Sequence, residues 1–301
     1  MSIKLQPLGL KQKKRLRLFP YLLVIPSIAI LAIITLFPFL YNLWISLHKF
    51  YLLFPKDIQL VGFANYFTAL TQKEFWETLL TTLLFTGGGV AIEFFLGFLI
   101  ALLLSWDFKG KNLLRTLFLV PMIMTPIAVG NMWKLMYSPT LGIINYFLSF
   151  LGIRGLEWVA DPKWALFSLI IVDAWQWTPF LSLVFLAGLI SLPREPFEAA
   201  LVDGASSLKT LRFIIIPLLK PIFIVGLLFR LIDSLRTFDI IYSLTGGGPV
   251  RSTETFNIFI YLRAFRDLQI GYSSALTLIL LFLIITVCTL IVRWSRIEIL
   301  E

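Results

Sequence analysis

Residues 21–47 run for 27 positions without a single charge. Crossing the hydrocarbon core of a bilayer as a helix takes about 20 mainly apolar residues, so this run is long enough to span. Five further runs qualify by the same rule: 78–105, 113–137, 164–190, 218–244 and 272–294. Inside lipid every backbone polar group needs a partner within the protein, which leaves helices or a closed barrel. Barrel strands would alternate apolar and polar residues over about ten positions, and these runs are apolar on all sides. The expected fold is therefore an all-α integral membrane protein with about six transmembrane helices. Composition agrees: 58% of the 301 residues are hydrophobic and 14% charged, where a soluble chain carries about a quarter charged.

The runs divide the chain into a basic segment at 1–20, a first transmembrane helix at 21–47 and an external segment at 48–77. A core of five helices follows at 78–294, interrupted by a polar insert at 191–217, and a short tail occupies 295–301. Lys11, Lys13, Lys14, Arg15 and Arg17 precede the first run, as they would in a signal peptide. Its length exceeds the 7–15 apolar residues of a cleavable signal and no small-x-small site follows, so an uncleaved anchor is expected. Orientation follows from the basic residues. With the N-terminus inside, Lys4, the cluster at 11–17, Lys109, Lys111, Arg115, Arg194, Lys209, Arg212, Lys220, Arg293 and Arg296 put 15 on the inner side. Nine face out, among them Lys49, Lys134, Arg154, Arg251, Arg263 and Arg266. Both termini are accordingly placed in the cytoplasm. The net charge of +9 suits anionic lipid at that surface. No basic face with reading elements marks a nucleic-acid binder.

Several chemistries lack their materials. Gly110-Lys111-Asn112 has neither the upstream glycine nor the hydroxyl of a phosphate-binding loop. His48 is the only histidine, so histidine-based metal or triad chemistry is not expected; it reads as an interfacial residue. Cys288 is the only cysteine, and lies in the last run as a small packed or lipid-facing group. No catalytic residue and no metal site is expected, and the chain reads as a passage rather than an enzyme.

The insert holds "EAALVDGASSLKTLRFIIIPLLKP", Glu198 to Pro221. Pro193 and Pro196 stop the preceding helix, since proline lacks the donor and clashes with the turn before it. Pro196 suits a first helical turn, and Glu198 sits near the positive end of the dipole. Phe197, Ala200 and Leu201 recur as one apolar stripe. Gly204 can take the left-handed conformation that ends a helix, and Ser206 or Ser207 can cap a second short helix running toward Pro217. The spacing predicts a helix, a glycine corner and another helix outside the bilayer. On these residues alone a plain connecting hairpin is equally good, although structureless connections of such length are uncommon unless functional.

The same stretch resembles the EAA loop of permease subunits of bacterial ABC importers, whose pattern is E-A-A-x-x-D-G-A followed by I-x-x-P. Glu198, Ala199, Ala200, Asp203, Gly204, Ala205 and Pro217 match it residue by residue. Residues 114–148, 174–205, 238–249 and 271–276 resemble the carbohydrate-uptake branch, close to glycerol-phosphate, trehalose and maltose permeases, without the large external insertion of the maltose-importer subunit. The resemblance implies a type I ABC-importer permease fold in the bacterial plasma (inner) membrane. It implies that this loop docks into a separate ATPase dimer, which holds ATP and Mg while this chain binds no cofactor. It further implies a second homologous permease, an extracytoplasmic solute-binding protein and a carbohydrate-type substrate, a sugar, polyol or glycoside moved by alternating access. Outer segments such as Thr245–Pro249 meet the binding protein in that family.

The fifth run carries Arg230, Asp233, Arg236 and Asp239 at three-residue intervals. Each charge at the bilayer centre costs about 2.5–3.5 kcal/mol on insertion scales, so they need partners or water. Arg230 with Asp233, and Asp233 with Arg236, are helix neighbours. Sugars call for planar polar groups and aromatic faces. Arg236 and Asp239, with Asn131 on the third run and Trp175, Trp177 and Phe180 on the fourth, are the candidate pathway residues. Tryptophans also form interfacial belts and ion pairs also join helices. Glu93 and Asp173 are further intramembrane acids, and the resemblance, in which this position is often glutamate, implies a structural hydrogen bond for Glu93. Gly87-Gly88-Gly89 permits close helix approach. A proton-coupled secondary transporter using Asp233 or Glu93 is the competing reading; inverted repeats, its usual mark, are not evident.

Overall fold

A helix that cannot hide its apolar surface from water must be placed in lipid, and the first helix is of this kind. The computed structural model describes residues 10–153 and 155–295. Helix α1 (Leu10–Ser46) presents Ile33 and Phe37 with 68% and 67% of their surface uncovered, and packs chiefly along the last helix, α14 (Ile270–Ser295). Lys4, Arg154, Arg296, the tail after Ser295 and the side chains of the 11–17 cluster lie outside the described residues.

A two-residue hairpin follows, β1 (His48–Lys49) against β2 (Gln59–Leu60), and then the short α2 (Ala64–Thr71). The centre of the molecule is the pair α3 (Lys73–Ser105) and α8 (Pro162–Ile190). They approach closely because α3 offers glycines: a Cβ on Gly88 would stand 3.0 Å from Ile170, and one on Gly97 would stand 3.0 Å from Leu181. Gly87 meets nothing within 4 Å, so two of the triplet's glycines, Gly88 and Gly89, carry the approach. Without a hydrophobic drive between helices in lipid, such tight van der Waals contact is what holds them.

Two of the predicted spans are not continuous. Residues 113–137 fold as α4 (Lys111–Phe118), α5 (Val120–Ile123) and α6 (Pro126–Met136), bent by 97°. Pro126 forces the residue before it out of the helical region, and both Met124 and Thr125 are extended. A broken helix at this depth is tolerable when protein satisfies the freed groups. Gln176 of α8 does so, donating from Nε2 to the Met124 carbonyl at 3.1 Å. The helix α7 (Ile143–Phe150) then leads to α8.

Residues 218–244 break too, after α11 (Ile216–Leu235), at Arg236–Phe238, and resume as α12 (Asp239–Leu244). α12 lies against α6 where Gly130 leaves room for Ser243. The chain closes through α13 (Phe256–Tyr261), a π-helical turn at Leu262–Arg266 and α14. Among the described residues, five helices are long and apolar enough to cross a membrane, or six with the bent pair taken as one.

Candidate functional site

The polar insert folds as α9 (Glu195–Val202), a corner, and α10 (Ser207–Thr210). Glu195 and Glu198 occupy the first turn of α9, where the helix dipole favours them. The helix ends in a Schellman arrangement. Ala205 N–H donates to Ala200 O at 2.9 Å and Gly204 N–H to Leu201 O at 3.2 Å, with Gly204 at φ +68°. The corner predicted at Gly204 is present, and Ala200 is buried beneath it. Glu198, Ala199, Asp203 and Gly204 are exposed.

The second predicted helix does not end at Pro217. It continues as one 29-residue span from Ser207 to Leu235. Pro217 has no N–H for the carbonyl four residues back, and the chain absorbs this by widening into a π-helical turn at Leu211–Ile215, closed by Ile216 N–H on Leu211 O. Ser206 precedes α10 without a side-chain cap. Outward, the knuckle bares Leu201, Val202 and Leu208, of which Val202 is 88% exposed. Behind it a cavity of 410 Å³ is lined by Leu102 and Trp106 from the end of α3 and by Phe197, Leu201, Leu211 and Ile215.

Where the C-terminal part of α11 packs against α3 and α8 lies a cluster of charge. Arg230 is 1% exposed. It donates from Nε and Nη2 to both oxygens of Glu93 (2.6 and 2.8 Å), from Nη2 to Asp173 Oδ2 (3.1 Å) and from Nη1 to Asp233 Oδ2 (2.5 Å). A planar fork meeting a carboxylate on two parallel bonds is the strongest form such a pair takes. The Trp177 ring covers the guanidinium at 5.0 Å. Glu93 and Asp173 are fully buried, and Asp173 Oδ1 has no hydrogen-bond partner among the described residues. Gly89 gives them space, since a Cβ there would sit 3.2 Å from Asp173 Oδ2.

Of the candidate pathway residues, Trp177 and Phe180 share a pocket of 170 Å³ with Phe229, Arg230 and Asp233. Trp175 instead packs on Trp133, ring centres 5.6 Å apart, at the edge of an apolar core. Arg236 caps the end of α11 and Asp239 opens α12, both exposed, while Asn131 is exposed on α6 beside Gly130. None of these four lines the pocket. Asp233 is held by Arg230, not by Arg236. Sequence reasoning left Phe229, Arg230 and Asp233 off the pathway and missed Gln176. The signal for two of them was present, as charge inside an apolar run.

Comparison with known proteins places this architecture. Residues 93–297 match the family described as binding-protein-dependent transport system inner membrane component. The chain is 36% identical over 286 residues to the trehalose/maltose transport system permease protein MalF of Thermococcus litoralis, covering 95% of this chain and 96% of that one. It is 34% identical to the trehalose transport system permease protein SugA of Mycobacterium tuberculosis strain H37Rv, covering 88% and 84%. Its fold superposes with a TM-score of 0.82, at 22% identity and covering 95% and 97%, on a chain of the bacterial alginate ABC transporter solved with an alginate pentasaccharide-bound periplasmic protein. With a bent third span, a glycine-cornered knuckle and a family model covering two-thirds of its length, the chain belongs to the multi-pass permeases of binding-protein-dependent ABC transport systems and has the type I importer permease fold.

Proposed function

We propose that this chain is the membrane subunit of an ATP-driven importer that carries a sugar, polyol or glycoside across the bacterial inner membrane by alternating access. The observation that carries the reading is the Glu198–Ala205 knuckle, fixed by the Gly204 corner and baring Leu201, Val202 and Leu208. A rigid apolar knob outside the bilayer calls for a covering partner. An ABC ATPase dimer, holding ATP and Mg, supplies that partner, and the knuckle transmits its closure. A second permease completes the passage, an extracytoplasmic binding protein delivers the cargo, and both termini face the cytoplasm. The pocket of Trp177, Phe180, Phe229, Arg230 and Asp233 is a stopping place along the way. Relatives named for trehalose and maltose transport support the carbohydrate class. Swinging such a switch from 1:99 to 99:1 takes about 5.5 kcal/mol of differential binding.

The proton-coupled reading loses support at Glu93, both of whose oxygens are held by Arg230; its other carrier, Asp233, is ion-paired to Arg230 through Oδ2. Reconstitution tests the choice. Vesicles carrying this chain, its sister permease, the ATPase and the binding protein are expected to take up cargo only with ATP. Gly204→Pro should insert normally and lose both uptake and cargo-stimulated ATP hydrolysis, because proline is locked near φ −65°. Uptake on a proton gradient with no ATPase present would overturn the proposal.

A further inference from the structure

We propose that the pocket beside Arg230 accepts uncharged polyhydroxylated ligands and turns away sugar phosphates and sugar acids. This rests on the importer reading and adds to it the charge class of the cargo. A buried arginine in a transport pathway ordinarily signals an anion, because its fork matches phosphate and carboxylate. Here the fork is spent. Of five guanidinium donors, four are engaged by Glu93, Asp173 and Asp233, Trp177 covers a ring face at 5.0 Å, and 1% of the residue is exposed. An incoming phosphate finds a single unengaged N–H, on a residue too buried to offer the two parallel bonds of a fork.

What the pocket does expose is Asp233, whose side chain is 54% accessible and whose Oδ2 alone takes the Arg230 bond. Its other oxygen can accept from a hydroxyl and would repel an anion. The charge count agrees. One guanidinium faces three carboxyl groups, so one ionised carboxylate cancels it and a second makes the cluster negative. Arg236, the next cation along the chain, lies past the end of α11 and outside the pocket. The remaining walls are Trp177, Phe180 and Phe229, aromatic faces suited to the apolar side of a sugar ring. The 170 Å³ volume equals about six waters at about 30 Å³ each, room for one ring and not a chain.

The test is calorimetric binding to the assembled permease pair with its ATPase, without the binding protein, using the one-ring probes glucose and glucose 6-phosphate. The wild type should bind the neutral sugar at least about tenfold tighter, the value of one charge-assisted hydrogen bond. Asp233→Asn should erase or reverse that ratio by relaxing the Arg230 Nη1 bond, while Asp233→Glu should keep it. Equal binding of both probes by the wild type, an unchanged ratio in Asp233→Asn, or binding of neither probe by a complex that imports sugar would each overturn the inference. Charge-blind binding in a transporter still driven by ATP would leave the importer reading standing.

Discussion

Arg230 joins three helices through three acids, so its loss reaches further than one side chain. Removing one partner of a buried ionic group leaves the others uncompensated, at a cost of about 3–5 kcal/mol. Arg230→Ala should therefore lower the melting temperature of the detergent-solubilised protein sharply, and adding Glu93→Gln and Asp173→Asn should recover part of it. An unchanged melting temperature in the single variant would show that the acids do not depend on the guanidinium. Half of this cluster was legible. Arg230 and Asp233 are three apart on one helix, and local spacing announces that pair. Glu93 and Asp173 stood out as acids in apolar runs, but their meeting with Arg230 spans 137 and 57 residues of sequence, which no local pattern encodes. Gly204 was the opposite case: a turn of left-handed backbone depends on one residue and could be read from it.

At the scale of elements, the informative departures are the two broken spans. Hydropathy averages over a window and cannot see a 97° bend inside it. Thr125-Pro126 did carry the signal, since a residue before proline leaves the helical region. The break at Arg236–Phe238 has neither glycine nor proline, and it follows from packing α12 on α6. That packing is testable at Gly130, where a Cβ would collide with Ser243 Oγ and stand 3.3 Å from the Ile240 carbonyl. Gly130→Val should destabilise the protein by about 1–3 kcal/mol, the usual cost of overpacking, and Ser243→Gly in the same chain should restore part of it. Additive losses in thermal unfolding of the single and double variants would deny the contact.

For the molecule as a whole, the six-run count and helical class were legible because lipid imposes them on composition. The packing order, with α3 and α8 central and α1 peripheral, was not, since mean hydropathy does not separate the central α3 (2.2) from the peripheral α1 (2.3). One end of the bundle is laced by ions. Glu74 at the start of α3 pairs with Arg263 and, at 3.4 Å, with Arg251; both arginines lie over Phe259, at 4.9 and 5.9 Å. Arg263 and Arg266 also hold Asp267, at 2.7 and 3.0 Å. Partial burial pushes the Asp267 carboxyl up, but the hydrogen bonds from Arg266 and Arg263 outweigh it and hold the group below its ordinary value. A depressed carboxylate stabilises the fold above its unfolded value of about 3.9, and that contribution fades as pH falls from there to the folded value. Thermal melts stepped down through pH 4 should show a shallower acid decline in Asp267→Asn than in the wild type; superimposable curves would remove Asp267 from the acid response. The longest reach belongs to the unbroken helical path from Ser207 to Arg230, which climbs about 35 Å at 1.5 Å per residue. On the importer reading proposed above, a crowbar of that length with no slack loop along it carries a tilt of its foot at the knuckle to its tip beside the aromatic pocket in the same stroke. The wide turn at Leu211–Ile215 is a joint along it, and on that reading the stiffness of those five residues sets how faithfully the stroke arrives.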